Sequence, residues 1–335
     1  MSSGIVVYYL APKFHKATAN VNFSANVSVT PLPSATAPSP PSTHPTPTAE
    51  NDDEDDAEPA YSPPPPAPAT PRPARPSWDA TDPAPSEDLL VRQVKRSDGA
   101  ALFVENRSAC PITLTIQLDE KLNLVSNPPF PYTTTVAGKQ KFKLADLSMY
   151  RPGRWSYSYT YKYSEGSTTA QHDRSFMYSL PYGSGDSHPL TLINGNEYHF
   201  AMPEDTPVQA SRGGKVVACE DRYSRNGLSP EYFKKVNRVI IRHDDGTLGG
   251  YYYLRPGGVV VQVGQAVNAG DLIGYSGTTG HTATPQLAFC VFKALNGKSK
   301  QFFSLRFATS DSPHGAPLRT GVSYQPPTQS HPYTF

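Results

Sequence analysis

The sequence predicts an all-β protein: an antiparallel β domain of short, glycine-cut strands, preceded by a small β-sandwich and a disordered, proline-rich N-terminal tail. Three observations carry this. From residue 89 onward apolar side chains recur with period two, which lines one face of a strand. Glycine or proline interrupts nearly every such run. Half of the 36 prolines lie between residues 31 and 85, in a stretch almost without large apolar side chains. Such a stretch buries too little to offset the entropy of ordering.

Residues 1–86 are therefore predicted to be a tail. It contains a Pro/Ser/Thr/Ala block, an acidic run at 50–58, and four consecutive prolines at 63–66 followed by Pro71, Arg72 and Pro73. Polyproline II is the expected geometry, giving an extended spacer in preference to a ligand for aromatic-grooved modules. Residues 87–175 follow as the sandwich, with strands expected at 89–94, 101–105, 112–116, 141–144 and 155–163 and turns at 97–99, 127–129 and 137–138. Its Trp155, Tyr157, Tyr159, Tyr161 and Tyr163 alternate along one strand, a pattern that ordinary cross-strand packing explains better than glycan stacking. Residues 176–310 form the second β domain, with strands at 213–218, 239–243, 249–254, 259–264, 272–276 and 286–292 and one short helix at 229–236. Residues 311–335 read as an extended C-terminal tail.

Composition excludes several function classes. The formal charge is +1, and residues 31–86 hold nine acids against Arg72 and Arg75, so the rest is mildly basic. There is no dense Lys/Arg stripe, hence no nucleic-acid partner. Cys110, Cys219 and Cys290 cannot make a disulfide scaffold. The apolar run at 5–11 lacks a preceding basic residue and has about half the length of a spanning helix, which predicts neither a signal peptide nor membrane insertion. The glycine-rich 183–187 segment lacks the helix that a phosphate site needs.

Four linked segments carry a resemblance. They are Phe-Ala-Met-Pro at 200–203, continuing to Ala210; His243 with Asp244, Asp245 and Gly246; Tyr251, Tyr252, Tyr253 and Leu254; and the glycine-punctuated 263–280 run. Their order and spacing resemble the lysostaphin-type, LytM-like zinc metalloendopeptidases that hydrolyse peptidoglycan. In that family a His, an Asp shortly after it and the second His of a His-x-His strand hold zinc, while two further histidines serve the attacking water. Three protein ligands leave zinc an open position and bring its water toward neutral pKa.

Carried over residue by residue, the resemblance implies a degenerate member. The Asp position is His199, and the upstream His has no clear counterpart, the nearest spacing offering Gly195 or Asn194. The Tyr-x-His-Leu histidine is Tyr253, and the two histidines of His-x-His are Gln286 and Ala288. No catalytic residue, bound metal or cofactor is expected, with zinc retained only if His188, His243, His281 or Cys290 joins His199 in a rearranged site. Strand alternation places Tyr251 and Tyr253 on one face, so the expected binding groove comprises His199, Tyr251, Tyr253, Gln286 and His281. The expected function is a non-catalytic pseudopeptidase that binds cell-wall peptide or a partner protein. The alternatives are an active endopeptidase with a rearranged site and a structural component of a larger assembly. The resemblance suggests the bacterial envelope or an extracellular location.

Overall fold

The computed structural model describes residues 88–328 together with the strand Lys13–His15. The remainder of the predicted tail lies outside the described residues, and the strand within it pairs antiparallel with Ser156–Glu165.

Period-two patterning produces a sandwich of two four-stranded antiparallel sheets. One holds Ser156–Glu165, Ile112–Leu122, Tyr132–Val136 and the outlying Lys13–His15. The other holds Leu89–Arg96, Gly99–Asn106, Lys141–Met149 and Leu124–Asn127. The strands Leu124–Asn127 and Tyr132–Val136 flank the proline-rich 128–131 turn and were hidden by it. Trp155, Tyr157, Tyr159 and Tyr161 stack at centroid spacings of 6.1, 6.3 and 6.5 Å and are all buried, so the ladder is core.

The second domain is a nine-stranded antiparallel sheet. Its central order is Gly214–Glu220, Arg238–Arg242, Leu248–Tyr252, Gln286–Ala294, Glu197–Ala201 and His188–Asn194. One face buries Val216, Val239, Ile241, Tyr251, Leu287 and Phe289 in the main core. The other buries Val217, Ile240, Tyr252, Ala288 and Cys290, with Cys110 of the sandwich packed against them. Three expectations are corrected. Residues 259–264 alternate buried and exposed valines but form no continuous strand ladder: Val260 N–H donates to Ile273 O at 3.2 Å, and Gly264 N–H to Val216 O at 2.8 Å on the other side. The expected helix is a 3₁₀ turn, Pro230–Lys234. The C-terminal segment is not a free extension as far as residue 328: Ser323–Tyr324 pairs with His188–Asn194 and Leu318 enters the core.

Polar contacts join the sandwich to the sheet. Arg238 makes two bonds to the Glu165 carboxylate, 2.9 and 2.6 Å, and Lys300 lies 3.3 Å from it. Thr115 Oγ1 accepts from Gly297 N–H at 2.9 Å, and Ser164 Oγ donates to Asn296 O at 2.7 Å. Among the described residues no helix is long and apolar enough to cross a membrane.

Candidate functional site

The site begins with a hairpin. His188–Asn194 turns into Glu197–Ala201 through Gly195 and Asn196, both with left-handed φ (55° and 71°), as a two-residue type I′ loop requires. Gly195 is thus an exposed turn tip, and a side chain there would meet a backbone conformation that only glycine adopts freely. Two residues further on, His199 stands directly opposite Ala288, and Ala288 in turn opposite Tyr252. Cross-strand partners share a face, so these three form a row across adjacent strands.

His199 is held by its neighbour across the sheet. Gln286 Nε2 donates to Thr282 Oγ1 at 2.6 Å, which turns its Oε1 toward His199 Nδ1 at 3.1 Å. A carboxamide oxygen can only accept, so Nδ1 carries the proton and Nε2 presents a lone pair. That Nε2 is buried and has no hydrogen-bond partner among the described residues. Burial lowers the His199 pKa and the Gln286 bond opposes it, leaving a neutral imidazole at neutral pH.

The three tyrosines divide differently from their alternation. Tyr251 is fully buried in the main core, its hydroxyl accepting from Ser211 N–H at 2.7 Å, so it does not line the groove. Tyr253 follows the strand's end with φ 70°, a strained value for a bulky residue. That reversal of alternation puts Tyr252 and Tyr253 on the same cavity, with the Tyr253 ring 6.1 Å from that of His199. Lack of surrounding water pushes Tyr253 up to about 12 and Tyr252 well above 10, so both remain protonated.

The cavity measures about 40 Å³. Glu197, Tyr252, Tyr253 and Ala288 line it from the sheet, and Phe233, Val236 and His281 from the facing loops. His281 stacks on Phe233 at 3.9 Å and donates Nε2–H to Leu228 O at 2.9 Å, fastening those loops together. Glu197 is half-buried by surface area yet boxed in by its neighbours. Desolvation raises its carboxyl to about 7 against the opposing pull of Lys300. Sequence reasoning missed Glu197, although its i, i+2 relation to His199 on one strand was a usable signal. Phe233 and Tyr252 left no such signal.

The possible substitute ligands do not assemble. His188 packs edge-on against Tyr182 at 4.7 Å, and His243 gives Nδ1–H to Gly213 O at 2.9 Å beside the core residue Tyr178. Cys290 shares the Ala288 face, but burial lifts its thiol well above 9, making it inert. Zinc needs three donors converging within about 2.0–2.3 Å. At the five positions stand a turn glycine, one imidazole with a nitrogen already engaged, a phenol, an amide and a methyl group. Among the described residues, no three His, Cys, Asp or Glu converge. This donor set does not fit a three-ligand zinc centre.

Residues 195–301 match peptidase family M23. This segment is a family M23 domain. Over 124 residues the chain is 33% identical to glycyl-glycine endopeptidase ALE-1 of Staphylococcus capitis, an alignment covering 36% of this chain and 31% of that protein. It is also 33% identical over 125 residues to lysostaphin of Staphylococcus simulans, covering 36% of this chain and 23% of that one. The peptidoglycan DD-endopeptidase ShyA of Vibrio cholerae is 33% identical over 104 residues, covering 30% and 21%. The chain thus spans less than a third of the length of these relatives. Among solved structures, the catalytic domain of S. simulans lysostaphin is 28% identical with a TM-score of 0.26, covering 36% of this chain and 88% of that one. The M23 domain here contains the whole row His199, Ala288 and Tyr252, and the cavity beside it, within its matched residues.

Proposed function

We propose that this M23 domain is a non-catalytic pseudopeptidase that binds cell-wall peptide. The observation that carries the reading is the replacement of the family's donor positions by Gly195, His199 and Ala288 within an intact sheet. Ala288 faces His199 in register on adjacent strands, and of the three positions only His199 still carries a nitrogen that could ligate a metal. Zinc chemistry needs those atoms to generate its nucleophile, and neither Tyr253 nor Gln286 is a base near neutral pH. The cell-wall peptide is argued from relatives named as glycyl-glycine and peptidoglycan DD-endopeptidases. A pocket of hydrogen-bonding and aromatic groups recognises such a ligand without a reactive centre.

The test incubates the purified chain with purified peptidoglycan. The expected result is co-sedimentation without release of soluble peptides, and less than stoichiometric zinc by elemental analysis. Stoichiometric zinc together with newly exposed amino termini on the peptidoglycan would overturn the reading.

A further inference from the structure

We propose that the cavity beside Ala288 is a site for a primary ammonium group, with Glu197 as its counter-charge and Tyr252, Tyr253 and Phe233 as its walls. This deepens the reading above and rests on it, because it requires the space to be free of a metal ion.

The argument is one of charge and size. The Glu197 carboxylate lies in the cavity lining, and among the described residues no side chain donates a hydrogen bond to it. Lys300, the cation whose field reaches it, is held 3.3 Å from Glu165 instead. A partly desolvated carboxylate without a hydrogen-bond partner is unfavourable, and a ligand carrying positive charge relieves that. Anions are repelled from the same place. Aromatic rings attract cations through their quadrupole, and three of the lining residues supply them. The volume of about 40 Å³ suits a compact head group. A hydrated divalent ion would need several oxygen ligands where the cavity has one carboxylate, and a guanidinium would want more room and a planar double acceptor. Ala288 contributes only a methyl group, and the Tyr252 ring is laid across Gly250, within 2.6 to 2.9 Å of where a β-carbon would stand. The floor is therefore apolar and fixed.

The ammonium could be that of an alkyl side chain or of a chain terminus. The full chain is titrated with propylammonium chloride for the first and glycinamide hydrochloride for the second, following the tyrosine resonances by NMR at constant ionic strength. Butanol, slightly larger than propylammonium, serves as the uncharged control. Expected are saturable shifts of the Tyr252 and Tyr253 signals with at least one of the two ammonium probes, and none with butanol. In Glu197→Gln the affinity falls at least tenfold, and in Phe233→Leu severalfold, with both variants retaining the cooperative thermal transition of the parent. Equal response to butanol, or unchanged affinity in Glu197→Gln, overturns the proposal. Failure of the ammonium probes while peptidoglycan still co-sediments would sink this inference alone. Zinc-dependent peptide release would sink the pseudopeptidase reading first.

Discussion

At the residue scale the decisive feature is the hydrogen-bonded amide–imidazole pair of Gln286 and His199. Gln286 is fixed at both ends: Nε2 donates to Thr282, and Oε1 accepts from His199. Replacing it by leucine leaves the Nδ1–H of a buried histidine without an acceptor, a cost of about 1–3 kcal/mol. Gln286→Leu is accordingly expected to lower the urea midpoint with an unchanged m-value, and equal midpoints would contradict the pairing. His199, Tyr253, Gln286 and Ala288 were legible in the sequence because each sits in or beside a motif whose glycines and prolines survive, whereas the short 185–198 segment gave the upstream His position no clear counterpart. The bond between two of them was not, since residues 87 positions apart share no local pattern.

At the element scale, the strand Leu248–Tyr252 shows where period-two reasoning works and where it stops. Alternation correctly separates Tyr251, in the core, from Tyr252 on the other face, but it also predicts Tyr253 beside Tyr251. The backbone at Tyr253 turns to φ 70° and sends it to the opposite side. No side-chain periodicity encodes such a reversal. The valine run at 259–264 fails for the converse reason: its composition suits a strand, but its backbone bonds go to Ile273 at one end and Val216 at the other, so no single neighbour continues a ladder along it. Phe233 reaches the cavity from a 3₁₀ turn that belongs to neither strand pattern. The Gly250 position gives a direct test of the strand's local packing. An added methyl would meet the Tyr252 ring and hydroxyl at 2.6 to 2.9 Å. Gly250→Ala is therefore expected to displace that ring and to cost about 1–3 kcal/mol through overpacking, read as a lowered Tm, despite alanine's lower backbone entropy loss.

At the scale of the whole molecule, protons and one ion cluster set the stability. His172, His188, His199 and His243 all have pKa values lowered chiefly by burial, His243 to about 4. The unfolded chain binds protons on these groups near pH 6.5 and the folded one does not, so their contribution is complete above that pH and is lost as pH falls toward about 4. Glu197 works in the other direction, because its folded carboxyl, near 7, binds a proton that the unfolded one has released. Four groups oppose one. Stability is thus expected to fall on acidification from pH 6.5 to 4.5, by up to roughly 1.4 kcal/mol per pH unit for each net proton taken up on unfolding. Chemical denaturation at half-unit pH intervals measures the slope, and a flat or inverted profile would refute the assignment.

The Glu165 carboxylate is where the two β units become one. It takes both terminal nitrogens of Arg238 from the sheet and the ammonium of Lys300, while itself belonging to the last strand of the sandwich. About a fifth of the side-chain surface of Glu165 and Arg238 remains in contact with water, which moderates the Coulombic gain; removing the carboxylate nevertheless leaves two cations facing each other in a largely buried place. Glu165→Gln preserves shape and removes only charge, so its effect isolates that repulsion and desolvation. A loss of about 3 kcal/mol is expected, at the low end for breaking a buried pair because of the residual hydration. Because the lost contact lies between the units, the sandwich and the M23 sheet are expected to separate in calorimetry into two transitions where the parent shows one. Rescue should come from the double variant Arg238→Met with Glu165→Leu, which removes the uncompensated guanidinium along with its partner and refills the space with apolar atoms. If Glu165→Gln melts as one transition at the parent temperature, the cluster is not what couples them, and the joint rests on the contacts at Asn296 and Gly297 and on the packing of Cys110 against the sheet.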